Sequence, residues 1–252
     1  MDITILGVGG FDNVGLPFNS FLVDGRLLVE TPPDILQSLR REGVDPRSIE
    51  AVFVSHTHGD HVFGAPFLLF QLWRAREASA GPLRIIGPRD LRATILRLAA
   101  LAIRDDHPYV RWIEESCSFQ VAEAGSRLEV LGYEARFYKM FHEKETCGLG
   151  LSQGGRLRLQ YLPDTRWDEG LKAYFAEGAD LVLCDVNGTG GNREVHMSLE
   201  ELESNLAGII PEGTRILGTH LADAIASSSS LVGIAEPGQR LRLLDRAGEP
   251  RS

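Results

Sequence analysis

The feature that most constrains this chain is the run His56-Thr57-His58-Gly59-Asp60-His61, which follows the apolar stretch Ala51-Val52-Phe53-Val54 and Ser55. Four consecutive apolar residues bounded by polar ones read as a buried strand. The histidine run therefore sits where a strand leaves its sheet. Three of the seven histidines of the chain fall within it, a density that a solvated loop does not require. Imidazole and carboxylate are the ligands that suit Zn²⁺, Mn²⁺ and Fe. In extended backbone alternate side chains share a face, so His56 and His58 can serve one ion. The glycine then lets the chain turn, so that Asp60 and His61 can serve a second.

The rest of the pattern supplies a scaffold for such a loop. At 252 residues the chain is read as one domain, residues 1–252, because single α/β domains commonly reach this length. Strands are expected at 2–6, 20–23, 27–30, 51–54 and 83–86, with Asp24-Gly25 as a hairpin turn. Helices are expected at 34–42, 66–78 and 89–104. From 118 to 162 short strands with glycine turns follow. Then come a helix at 168–176, a strand at 181–184, a helix from the capping box Ser198-x-x-Glu201 to Leu206, and strands at 215–217 and 241–244. This mixture implies an α/β (α+β) layered fold. Ser227–Ser230 reads as a flexible loop.

Composition narrows the partners. With 26 Lys and Arg against 35 Asp and Glu, the formal charge is −9, which opposes binding to an extended nucleic acid. Three dispersed cysteines, Cys117, Cys147 and Cys184, give no disulfide framework and point to a reduced compartment. Met1-Asp2-Ile3-Thr4-Ile5 lacks the basic start of a secretory signal, and no apolar run is long enough for a membrane span. A cytoplasmic protein without membrane contact is the expectation. Gly7-Val8-Gly9-Gly10 follows a strand, but Asp12 stands at the third glycine position of a dinucleotide fingerprint, so the glycines are read as a turn.

The motif His56-x-His58-x-Asp60-His61 after a buried strand resembles the signature of the metallo-β-lactamase superfamily. The similarity continues through Val29-Glu30-Thr31-Pro32-Pro33-Asp34, in place of the usual apolar-Asp-x-Gly run. It extends to the lone His142, to Pro163-Asp164-Thr165 after a strand, and to Gly218-Thr219-His220-Leu221 after another. The resemblance implies an αββα four-layer sandwich with two divalent metal ions at one edge. It assigns His56, His58 and His142 to one ion and Asp60, His61 and His220 to the other, with Asp164 bridging. Zinc is the implied metal, with Mn²⁺ and Fe as alternatives, and hydroxide formed between the ions is the implied nucleophile.

Details of the second half point to a branch. Asp164 stands where true β-lactamases of this fold usually have cysteine. The filled ligand set favours a two-metal hydrolase over single-iron relatives. Leu181-Val182-Leu183-Cys184-Asp185 and Glu194-Val195-His196-Met197-Ser198 resemble the ribonuclease Z and cyclic ribose-phosphate phosphodiesterase branch, with Asp185 in place of a more usual glutamate. The resemblance implies catalytic roles for Asp60, His196 and Asp185, and a homodimer is common in this branch. Only 22 positions separate His142 from Asp164, too few for the basic arm that ribonuclease Z inserts there. The cysteine-rich zinc site of the cyclic phosphodiesterases is also missing, since no cysteine precedes Cys117. The expectation is a phosphodiesterase for small or cyclic phosphodiesters. A carboxylic ester, thioester or lactone hydrolase on the same metal core is the alternative, and a non-enzymatic binding or regulatory protein the third.

Overall fold

The computed structural model describes residues 1–75, 82–190, 194–225 and 229–244. The first sheet contains β1 (Asp2–Gly7), β2 (Ser20–Val23), β3 (Leu27–Val29), β4 (Ala51–Phe53), β5 (Leu83–Gly87) and β6 (Cys117–Val121). The second is built from β7 (Arg127–Val130), β8 (Tyr133–Lys139), β9 (Cys147–Gln153), β10 (Arg156–Leu162), β11 (Leu181–Asp185), β12 (Arg215–Thr219) and β13 (Val232–Ile234). The last strand, β14 (Arg240–Arg242), returns to pair with β1, so the first sheet runs β14-β1-β2-β3-β4-β5-β6 and the second β13-β12-β11-β10-β9-β8-β7.

Each sheet is half antiparallel and half parallel. Pairing is antiparallel from β14 to β3 and parallel from β3 to β6. In the second sheet it is antiparallel from β7 to β10 and parallel from β10 to β13. The β2–β3 hairpin closes with Val23 opposite Leu27. Its turn places Asp24 and Gly25 at positive φ, a conformation that glycine adopts without steric cost.

The sheets face each other over a shared core of Ile3, Ile5, Phe21, Phe53, Phe137, Leu149, Leu159, Tyr161 and Leu183. Two ring pairs cross the interface, Phe21 with Tyr161 at 5.2 Å and Phe53 with Phe137 at 5.9 Å between centroids. Helices α1 (Ile35–Arg41), α3 (Ala65–Ala75), α4 (Leu91–Ala102) and α5 (Pro108–Ser116) cover the outer face of the first sheet. The apolar side of α3 buries Ala65, Leu68, Leu69 and Leu72, the spacing of one helical face. A single turn, α2 (Gly59–Val62), precedes it. Helices α6 (Leu171–Phe175) and α7 (Leu199–Leu206) bury Leu171, Phe175, Leu202 and Leu206 with the second sheet. The result is the expected αββα sandwich.

The expected elements are present with small shifts of their ends. Helix α5 and strand β13 are additional. The expected continuation of α3 to Ala78, and Ser227 and Ser228 of the serine loop, lie outside the described residues. No helix among the described residues is long and apolar enough to cross a membrane, and all three cysteines are free and buried.

Candidate metal centre

Strand direction decides where the polar residues meet. Strands β10, β11 and β12 are mutually parallel, and β8 shares their direction because both it and β10 are antiparallel to β9. Their C-terminal ends therefore open on one edge, where His142, Asp164, Asp185 and His220 lie within three residues of a strand end. The loop after β4 supplies the remaining donors. His58 is the extended N-cap of α2, with φ −70° and ψ 153°, and Gly59 begins the turn that carries Asp60 and His61. The extended-then-turned course expected of the motif is what the backbone adopts.

Two donor clusters result. In the first, His56 Nε2 lies 3.0 Å from His58 Nδ1, and His142 Nε2 lies 3.2 Å from the same atom. Asp164 Oδ2 is 3.7 Å from His56 Nε2 and 3.9 Å from His142 Nε2. In the second, His220 Nε2 lies 3.1 Å from Asp60 Oδ2 and 3.3 Å from His61 Nε2. Asp164 Oδ1 is 3.3 Å from both His61 Nε2 and His220 Nε2. Within each cluster the donor atoms lie within 4.8 Å of one another. Asp164 thus presents one oxygen to each.

This arrangement fits a pair of cations. Asp164 Oδ1 is buried without a hydrogen-bond partner, and a buried unpaired carboxylate oxygen is costly unless a positive charge faces it. In the first cluster three ring nitrogens converge, and in the second two ring nitrogens meet two carboxylates, more lone pairs than shared protons can satisfy. For His56 and His142 the opposite ring nitrogens are held from behind, as is usual for metal-binding histidines. His56 Nδ1 contacts Ser55 Oγ at 3.0 Å, and His142 Nδ1 contacts the Val195 carbonyl at 3.2 Å.

Electrostatics separate the clusters. Burial, followed by the neighbouring His61, keeps His56 well below the usual histidine range. Burial likewise lowers His58 and His142, so this cluster is neutral imidazole. In the second cluster burial opposes protonation, but the charge of Asp164 and its neighbours outweighs it, raising His220 to about 9 and His61 well above its ordinary value. Asp164 itself lies well below the carboxylate range, since His220, His61 and His56 overcome burial. The second cluster therefore demands positive charge, which a proton or a metal ion can provide.

His196 stands beside both clusters. Its Nδ1 lies 2.9 Å from Asp185 Oδ2 and 4.0 Å from Asp164 Oδ2, and its ring stacks on His220 at 5.0 Å between centroids. Asp185 is fully buried and also accepts from the Thr165 backbone N–H at 3.0 Å. Burial lowers the His196 pKa, but the Asp185 hydrogen bond and charge together raise it above the ordinary value. All nine residues singled out in the sequence are thus at one edge.

The glycine run near the N-terminus has a packing reason. A Cβ on Gly10 would lie 2.9 Å from His220 Nδ1 and from the His220 carbonyl oxygen. The adjoining segment is not uniform. Asn13 closes a turn onto Gly10 and Leu16, while Asn19 is buried behind the metal-binding edge. Among the buried residues there, Glu30 lies in the Val29–Asp34 run that resembles the family and Asn19 ends the 13–19 segment that the resemblance places along the pocket, whereas Tyr161 carries no site signal in the sequence.

The fold and the convergent donors define a metallo-β-lactamase-fold protein with two adjoining groups of metal-ligating side chains. The family model described as anti-Pycsar protein Apyc1 matches residues 1–231, and the chain belongs to that family. Curated relatives include the ribonuclease Z of Bacillus velezensis, 35% identical over 126 residues, or 48% of this chain and 39% of that protein. The ribonuclease Z of Clostridium beijerinckii is 34% identical over 110 residues, or 40% of this chain and 34% of that protein. The matches thus span well under half the length of these relatives. Among solved structures, the metallo-β-lactamase-fold protein YhfI of Bacillus subtilis superposes with a TM-score of 0.74 at 18% identity, covering 96% of this chain and 99% of its own. The short form of human tRNase Z superposes at 0.72 and 19%, covering 97% and 100%. At these identities the structures share the fold.

Proposed function

We propose that the chain is a dinuclear metal-dependent phosphodiesterase acting on small or cyclic phosphodiesters. His56, His58 and His142 would hold one ion and Asp60, His61 and His220 the other, with Asp164 shared. Zn²⁺ is the metal best suited to this nitrogen-rich set. When bound, such ions supply Lewis-acid charge and an acidified water.

The observation that carries the phosphodiesterase reading is His196 on Asp185. With Nδ1 engaged by the carboxylate, Nε2 is the nitrogen available to a substrate. From that position the ring can hydrogen-bond a phosphate oxygen or deliver a proton to a leaving alkoxide. Asp185 fixes the tautomer and ring plane, which an ester hydrolase relying on the two clusters alone would not need. The small-substrate reading is supported by the segment between His142 and Asp164, whose strands are only β9 and β10. The net charge of −9 adds to it.

His196→Ala tests the reading directly. Metal content should stay at the wild-type value. Turnover of diesters with alkoxide leaving groups should fall on the order of 10²–10⁴-fold, while bis(p-nitrophenyl) phosphate, whose leaving group needs no proton, should be largely spared. Unchanged turnover on every diester would remove His196 from the chemistry and favour the ester-hydrolase alternative. Precursor transfer RNA cleaved with a higher kcat/KM than small diesters would overturn the small-substrate assignment.

A further inference from the structure

Behind the second cluster runs a chain of buried polar side chains that crosses from one sheet to the other. Thr219 at the end of β12 contacts Asn19 Oδ1 through its hydroxyl. Asn19 Nδ2 lies 2.9 Å from the Tyr161 hydroxyl, and that hydroxyl lies 3.1 Å from Glu30 Oε1. Glu30 is fully buried, and both its oxygens face the Ser55 backbone N–H at 3.2–3.3 Å. Its Oε1 is also 3.4 Å from His61 Nδ1, a buried nitrogen with no aligned hydrogen-bond partner. Thr219, Asn19 and Tyr161 are each at most 3% exposed, so water is a poor substitute for any of these contacts.

The direction of every bond in this chain follows from one end. An ionised carboxylate only accepts, so the Tyr161 hydroxyl must donate to Glu30. Its oxygen is then the acceptor for Asn19, which fixes the Asn19 amide with nitrogen toward Tyr161 and oxygen toward Thr219. Thr219 must donate. Three donors thus point one way and end on the carboxylate that faces His61, and bonds aligned in this sense polarise one another. Burial and the Glu30 charge push the Tyr161 hydroxyl well above its ordinary pKa, so it persists as a donor.

The chain also connects the two histidines of the second cluster. Glu30 sits behind His61, and Thr219 is the neighbour of His220. Glu30 and His220 are both non-glycine residues with left-handed backbone, at φ 66° and 62°. Such geometry persists only where the surroundings enforce it, and at both residues the chain or its neighbour is among those surroundings.

We propose that Glu30, Tyr161, Asn19 and Thr219 form a one-way hydrogen-bonded relay of positioning residues that sets the tautomer and orientation of His61 and holds His61 and His220 in register across the two sheets, tuning the second metal position and not the first. This rests on the dinuclear reading above. With an ion bound, His61 would carry its proton on Nδ1, which lies 3.4 Å from Glu30 Oε1, and would offer Nε2 to the ion.

The test is cobalt binding to the wild-type chain, Tyr161→Phe, Thr219→Val and Glu30→Gln, followed by visible absorption and by isothermal titration. Wild type should take up two Co²⁺ per chain. Tyr161→Phe and Glu30→Gln should weaken the second ion by about 10–100-fold, the range for partners behind metal ligands, and shift its absorption bands, leaving the first ion unchanged. Thr219→Val, at the far end, should show the same effect in smaller measure. Thermal unfolding of the metal-free proteins serves as the control for fold. Wild type binding fewer than two ions would defeat the dinuclear reading itself. Wild type binding two, with either folded variant binding both ions as tightly and with the same spectrum, would overturn the relay alone. Equal weakening of both ions would likewise overturn it, by showing a general structural effect. If Glu30→Gln does not fold, Tyr161→Phe and Thr219→Val decide the question.

Discussion

The cluster of His56, His58 and His142 and the cluster of Asp60, His61 and His220 share Asp164 and differ in nearly everything else. In the first, the His58 side chain is 27% exposed, whereas every member of the second is buried. The first is built from neutral imidazoles around one carboxylate oxygen. The second sets two histidines against Asp60, Asp164 and Glu30. Low dielectric strengthens each of those attractions and raises the cost of leaving any of them unmatched. The contrast teaches a division of labour, with an accessible position beside an electrostatically committed one. With ions bound as proposed, one in the first position would be the more open to exchange and to substrate, and one in the second the more firmly held.

Removing the shared residue should erase the contrast. Asp164→Ala takes charge from both clusters, and metal analysis should show fewer than two ions per chain. A Lewis acid contributes several kcal/mol, so turnover should fall about 10³-fold or more, at 1.36 kcal/mol per factor of ten. Two tightly held ions and full activity in this variant would refute the shared role. His58→Ala should sharpen the contrast by emptying only the accessible position. One ion per chain should remain, turnover should drop about 10²-fold, and the unfolding temperature of the metal-free protein should hardly move because the side chain is partly exposed. Loss of both ions would show that the clusters do not act separately.

Gly10→Ala approaches the committed cluster from behind. The added methyl would press on the His220 ring and on its carbonyl, and the backbone contact cannot be relieved by a rotamer change. Affinity for the second ion should fall about 10–100-fold, measured by titration with the first position as internal reference. The smallest effect concerns the support behind the first cluster. The Cys147 backbone N–H donates to the Ser55 carbonyl, next to His56, and the thiol donates to the Ala122 carbonyl at 2.9 Å. Burial pushes that thiol up to about 11 from an ordinary value of 9. A raised folded-state pKa stabilises the protein fully below pH 9, and this contribution disappears as pH climbs from 9 through 11. Denaturant unfolding should therefore show an alkaline loss that Cys147→Ala lacks, and at pH 8 the native thiol should resist alkylation. A thiol that reacts as fast as in the unfolded chain would show that it is not protected.

The site was legible where its chemistry is contiguous or follows a strand with turn residues. The run from His56 to His61 announces itself, and His142, Asp164 and His220 each follow a strand. The capping box at Ser198 located α7 and, with it, His196. Tyr161 escaped because it is a buried partner separated from Glu30 and Asn19 by 131 and 142 positions, and alternation along a strand cannot distinguish a buried tyrosine that donates a hydrogen bond from one that only packs. Helix α5 was missed because its N-cap is His107, an uncommon capping residue whose Nδ1 accepts from the Tyr109 N–H. Its buried set is only Tyr109, Val110 and Ile113. Strand β13 has three residues, too few for any periodicity.

The placement of His220 on β12 has a consequence for how the protein is made. Synthesis proceeds from the N-terminus, and the first cluster has all its donors once residue 164 has emerged. The second waits for a residue 160 positions after Asp60, and contacts of such long range form late because loop closure must come first. A nascent chain thus has every donor of the first cluster while the second still lacks His220. Metal captured at that stage would be held at the accessible position alone, and occupancy of the second would report that the C-terminal strands have closed onto the sheet.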